Sequence, residues 1–145
     1  MRIVLQRVKQ ASVTVEDKIV GKIAKGFLIL LGAANGDTTE KVEYWADKCA
    51  ALRVFEDENG KMNLGITDIE GEVLVVSQFT LCGDITRGRR PSFDKAMPPE
   101  DAKKLYEYFC DKLKDKGINV QTGVFAAKMD VELINNGPVT FILED

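Results

Sequence analysis

Three short segments carry residue types that could do chemistry. The first is Ser77-Gln78-Phe79-Thr80-Leu81, which closes the apolar run Val73 to Val76 and leads into Cys82-Gly83-Asp84. Polar residues at the mouth of a buried strand are held by a rigid scaffold, a common placement for a site. Ser77 and Thr80 bring hydroxyls and Gln78 an amide. The exposed backbone brings N–H donors of the kind that stabilise an acyl-transfer oxyanion. The plain alternative is a strand end whose hydroxyls cap nearby backbone. The second segment is Asn135-Asn136-Gly137-Pro138-Val139-Thr140, whose default reading is a turn. Gly137 has no side chain, so two backbone carbonyls point freely, and a rigid pair of carbonyls could test the configuration at a substrate's α-carbon. The isomer of the bond is not legible, since only about 5–6% of X-Pro bonds in folded proteins are cis. The third segment is Thr86 to Phe93, where three of the six arginines, Arg87, Arg89 and Arg90, fall within four positions. Guanidinium groups on a glycine-containing loop suit phosphate contacts, and a solvated loop accounts for the same pattern.

What the chain lacks narrows the chemistry further. It has no histidine, so no Ser-His-Asp or Cys-His arrangement exists, and the commonest zinc and copper ligand is missing. Cys49, Cys82 and Cys110 share no metal-ligand spacing and have no imidazole to activate them, so they read as reduced thiols of an intracellular protein. Asp57, Glu58, Asp68 and Glu70 sit in turn-like segments, Glu144 and Asp145 form the tail, and none flanks an apolar pocket. No phosphate-cradling glycine loop is present. No metal or organic cofactor is expected.

The elements that must position these segments follow from periodicity. Residues 2–8, 11–15 and 18–23 alternate and are rich in β-branched types, and Phe27 to Leu31 is a continuous apolar run of strand length. The pattern then turns helical over about 38–52, with Asp37 as the expected N-cap, Glu40 three residues on, and Val42, Trp45, Cys49 and Leu52 on one face. A short strand at 53–55, a turn at 57–60 and a long strand at 72–81 follow. Pro98-Pro99 opens a second helix with acidic Glu100 and Asp101 in its first turn. Ala102, Leu105, Tyr106, Phe109 and Leu113 form its buried stripe, and Gly117 is the stop. Strands are expected at 119–124, 129–134 and 139–143. Two amphipathic helices among many strands give an α/β fold with layered mixed or antiparallel sheets, in a single domain over 1–145.

Composition is that of an ordinary globular chain, 45% hydrophobic and 30% charged, enough for a core without staples. With a net charge of −3, no global field steers it to nucleic acid, so any RNA contact is local. No apolar run approaches the length of a membrane span and the start lacks a signal-peptide pattern, so the cytoplasm is the expected compartment and a membrane is not an expected partner.

Taken together, SQFTL at 77–81 and NGPVT at 136–140 resemble the two signature motifs of the D-aminoacyl-tRNA deacylases. QRV at 6–8, ASVTV at 11–15, GKMN at 60–63, RPSF at 90–93 and QTGVFAAKM at 121–129 fit in the same order, so the resemblance spans the chain. Asn136 stands where many members carry Asp. The resemblance implies hydrolysis of D-aminoacyl-tRNA, possibly also of glycine mischarged on alanine tRNA, by a homodimer without cofactor. Ser77, Gln78, Phe79 and Thr80 would supply the catalytic segment. A cis Gly137-Pro138 from the partner subunit would exclude L-amino acids. Arg7 is the candidate for holding that motif, with Phe125 and Met129 as further pocket residues and Arg87, Arg89 and Arg90 as tRNA contacts. DNA is not an expected partner. Two mechanisms stay open: hydrolysis assisted by the substrate's own 2′-hydroxyl, and a covalent Thr80 ester, for which no activating base is visible. A non-catalytic RNA-binding dimer module is the rival class.

Overall fold

The computed structural model describes residues 1–145. The two alternating segments at the start are one 14-residue strand, β1 (Arg2–Val15). Glu16 and Asp17 both take positive φ, 49° and 62°, a tight turn into β2 (Lys18–Ile23), which pairs antiparallel with Ala11 to Val15. The next strand, β3 (Gly26–Gly32), is buried along nearly its whole length and pairs antiparallel with Arg2 to Val8. Thus β2 and β3 share one edge of β1 in consecutive halves.

The first helix, α1 (Thr39–Ala51), is capped by Thr38, whose side chain accepts from Lys41 N, and not by Asp37 as expected. The Asp37 carboxylate is taken elsewhere: it accepts from the Met1 ammonium at 2.7 Å and from Ala34 N at 2.7 Å, and pairs with Lys41 at 3.1 Å. A two-stranded ribbon, β4 (Phe55–Glu56) and β5 (Met62–Leu64), follows. The expected strand at 72–81 is divided. β6 (Glu72–Ser77) lies parallel to β3, and a 3₁₀ turn covers Phe79–Cys82. The second helix, α2 (Pro99–Asp115), buries the expected stripe and Cys110 as well. β7 (Asn119–Thr122) is parallel to β6. The chain ends in one 15-residue strand, β8 (Asp130–Glu144), where two strands and a turn were expected.

The sheet runs β2-β1-β3-β6-β7, with β8 along the other edge of β1. The ladder between β1 and β8 is broken at two places, between Gln6 and Val8 and between Val8 and Gln10. Gln6 pairs with Thr140 and Val8 with Asn135, so Arg7 alone faces residues 136–139. The first break is a bulge in β8. At the second break Lys9 is an extra residue in β1, and past it the odd-numbered residues of β1 face the other side of the sheet. Ile3 and Leu5 join the core under the two helices, with Phe27, Ile29, Val75 and Phe109. Val8, Ala11 and Val13 join a second core on the opposite face, with Ile23, Leu28, Leu74 and Val76. Gly21 lets β2 close over that second core, since a Cβ there would stand 2.4 Å from the Thr122 carbonyl oxygen.

Candidate active site

The parallel pairing of β3 and β6 ends at Leu31 and Ser77. Gln78 N donates the last ladder bond to Leu31 O at 2.8 Å, and the backbone then leaves the sheet. Gly32 permits this exit, because a Cβ there would meet Gln78 O at 2.8 Å. Leu81 N donates to Gln78 O at 3.1 Å and Gly83 N to Thr80 O at 3.0 Å. The N–H groups of Phe79 and Thr80 precede the first bond of this turn.

Above this strand end opens a mostly apolar cavity of about 630 Å³, the size and character of a small-molecule site. Ser77 and Gln78 form its polar edge beside Phe79, Pro98, Ala102 and Tyr106 of the second-helix region one wall, and Phe125 and Met129 another. Of the four residues in the expected catalytic segment, Thr80 alone is outside the lining. Its hydroxyl accepts a hydrogen bond from the Gln78 amide at the surface. Phe93 and Met97 also line the cavity.

No side chain in the lining is a base at neutral pH. The Tyr106 hydroxyl donates to Val75 O at 2.8 Å, and burial raises its pKa far above the usual phenol range. All three cysteines are buried, and burial pushes Cys49 and Cys110 up to about 12. No group of three or more His, Cys, Asp or Glu gathers as a metal cage.

In the second motif Gly137 and Pro138 are exposed on β8 while Val139 is buried, and the motif lies outside the lining of its own cavity. The Gly137–Pro138 bond is cis. Arg7 is 4% exposed and lies beneath the bulge. Its Nε donates to Asn136 O at 3.1 Å and its Nη1 to Val54 O at 2.6 Å. Asn135 closes the bulge, its Nδ2 donating to Arg7 O and to Val139 O, both at 3.1 Å. Arg7 reads the Asn136 backbone, so the departure from Asp at that position does not touch this contact.

Arg87, Arg89 and Arg90 are exposed on the loop between Asp84 and Ser92 and take part in none of the ion pairs of the chain. The loop is pinned at its base. Asp84 and Ser92 exchange two backbone bonds of 2.7 and 3.0 Å, and Asp84 also accepts from the N and Oγ1 of Thr86. Those bonds hold the Asp84 carboxyl down at about 2.

Comparison with known proteins decides what this arrangement belongs to. The model of the family described as D-Tyr-tRNA(Tyr) deacylase matches residues 4–144. The chain belongs to this family. Among its curated relatives, the D-aminoacyl-tRNA deacylase of Koribacter versatilis (strain Ellin345) is 57% identical over 144 residues, 99% of this chain and 97% of the relative. That of Thermotoga petrophila is 56% identical, again over 99% of this chain and 97% of the relative. Within the deacylase family's fold, the solved structure titled c-Myc DNA Unwinding Element Binding Protein superposes with a TM-score of 0.93 at 40% identity, covering 100% of this chain and 99% of that one. A structure described as a probable eukaryotic D-amino acid tRNA deacylase, at 18% identity and TM-score 0.84, covers 98% of this chain and 97% of that one and shares the fold. The α/β fold expected from periodicity is therefore the deacylase fold. The wall residues Phe93, Met97, Ala102 and Tyr106 were not foreseen as site residues. Ala102 and Tyr106 have the helical spacing of core positions, and that spacing does not separate a residue facing the core from one facing a cavity.

Proposed function

We propose that this chain hydrolyses the ester of D-aminoacyl-tRNA, including glycine carried on alanine tRNA, and spares the L-ester. The observation that carries this reading is the family match over residues 4–144, which takes in both the cavity-edge segment and the Gly137-Pro138 bulge. Water adds to the ester carbonyl, the bond to the ribose oxygen breaks, and the free amino acid and tRNA leave. In this reading the N–H groups of Phe79 and Thr80, which precede the first bond of the 3₁₀ turn, receive the developing oxyanion, and the neighbouring ribose 2′-hydroxyl supplies the proton transfer that no side chain of the lining offers.

A homodimer completes the site. β8 is the outer edge of the sheet and exposes Ile134, Phe141 and Ile142 together with Gly137 and Pro138. An exposed apolar edge strand favours burial against a second copy. The Gly137 and Pro138 carbonyls then enter the partner's cavity where an L-side chain would have to sit. Glycine and D-residues pass, and rejection rests on a clash. No helix is long and apolar enough to cross a membrane, and the cytoplasm is the proposed compartment. Incubation with a large excess of D-tyrosyl-tRNA tests catalysis: many equivalents of D-tyrosine released per protomer are expected. Stoichiometric binding without release would support the RNA-binding module instead.

The unpaired arginine loop is the proposed tRNA contact. Replacing Arg87, Arg89 and Arg90 by Ala is expected to weaken tRNA binding and to flatten the slope of log affinity against log salt by about 2–3, as fewer counterions are released. Titrations at several salt concentrations check this, and an unchanged slope would return the loop to solvent.

A further inference from the structure

We infer that Phe79 and Phe93 form a second nucleotide subsite, which stacks the base of the nucleotide preceding the terminal adenosine. This rests on the proposed tRNA substrate and names a part of it that the cavity itself does not hold. The two rings meet edge to face at 5.0 Å at the cavity edge, yet Phe79 is 57% and Phe93 38% exposed. Core packing does not account for rings so open. Backbone holds them instead. Phe79 opens the 3₁₀ turn. Phe93 lies on Gly83, where a Cβ would be 2.9 Å from its Cε1. Ser92 before it is paired to Asp84, and the Phe93 carbonyl accepts from Ala96 N at 2.9 Å. Aromatic rings fixed by backbone and open to solvent are stacking platforms that lose little entropy on binding.

Their neighbourhood selects the ligand. Arg89 and Arg90 precede Phe93 on the same pinned loop, and they and Arg87 have no carboxylate partner. The acids nearby are engaged, Asp84 by Thr86 and Lys95, and Asp94 by Ser92. Aromatic faces beside free guanidinium groups are the two halves of a single-strand nucleic-acid site, one for bases and one for phosphates. An apolar partner would leave the arginines idle, and a bare phosphate would leave the rings idle.

The test uses D-tyrosyl esters of adenosine, of a pyrimidine–adenosine dinucleotide, and of the same dinucleotide with an abasic first ribose, run beside D-tyrosyl-tRNA. Each kcat/KM is read as a ratio to that of the adenosine ester, so a variant's effect on the shared pocket cancels. The wild-type dinucleotide ratio is expected to be about 10 or more, from the stacking of one base. The abasic ester should lose most of it. Phe93→Leu, which keeps an apolar contact without a π face, should bring the ratio near one, and Phe93→Tyr should restore it. A wild-type ratio near one, an abasic ester as good as the intact one, or a Phe93→Leu ratio equal to wild type would overturn the subsite. Failure to hydrolyse D-tyrosyl-tRNA at all would instead remove the functional reading on which it rests.

Discussion

A D-tyrosyl ester carried on a terminal 2′-deoxyadenosine is expected to be hydrolysed at least about 10²-fold more slowly than its ribose counterpart, the lower end of what a positioned proton-transfer group contributes. The cavity leaves this task to the substrate. The chain has no histidine, the Tyr106 hydroxyl is committed to Val75 O, and the thiols are buried and protonated. Thr80, the rival nucleophile considered above, has only the Gln78 amide at its hydroxyl and lies outside the lining. An amide is no base. Thr80→Ala is therefore expected to keep measurable turnover, while single-turnover rates on the ribose and deoxyribose esters diverge. Capture of an aminoacyl ester on Thr80, or equal rates on the two substrates, would contradict this.

Arg7→Ala is expected to cost stability and activity together. Arg7 is the one charged residue that is buried as a whole, and its hydrogen bonds tie the bulge carrying Gly137-Pro138 to Val54. Removing it leaves two carbonyls short of a donor, one buried and one partly buried, a loss of about 2–4 kcal/mol. The bulge itself would keep only the Asn135 clamp. Arg7→Lys is expected to recover little, because one ammonium group lacks the forked donors that reach both carbonyls. Denaturant unfolding reads the first loss and kcat/KM on D-tyrosyl-tRNA the second. A variant as stable and as active as wild type would show that the bulge needs no guanidinium.

Much of the frame was legible because period and burial agree. The run Phe27 to Leu31 became β3, and the stripe Ala102 to Leu113 became the buried face of α2. The errors have physical causes. Lys9 and Gln10 are both exposed, so the alternation in the sequence stops although β1 continues through them. Asn135 to Pro138 carry turn chemistry, but pairing with β1 on both sides carries the strand through them. Asp37 has the right type for a cap, yet the fold brings the Met1 ammonium to it, a contact that no local pattern announces. At the site, Ser77, Gln78, Phe79, Phe125 and Met129 stood out by motif and do line the cavity. Phe93 and Met97 lie there because the loop after Ser92 folds back over the strand end, which only tertiary structure reveals.

The central claim, that the site hydrolyses aminoacyl esters by configuration, is tested most directly by measuring kcat/KM on D-tyrosyl-tRNA and L-tyrosyl-tRNA in parallel, with glycyl-tRNA as the third arm. Turnover of the D- and glycyl esters with the L-ester at its spontaneous rate is the expected result. Equal enzymatic rates on the D- and L-esters, or no acceleration of any of the three, would contradict it.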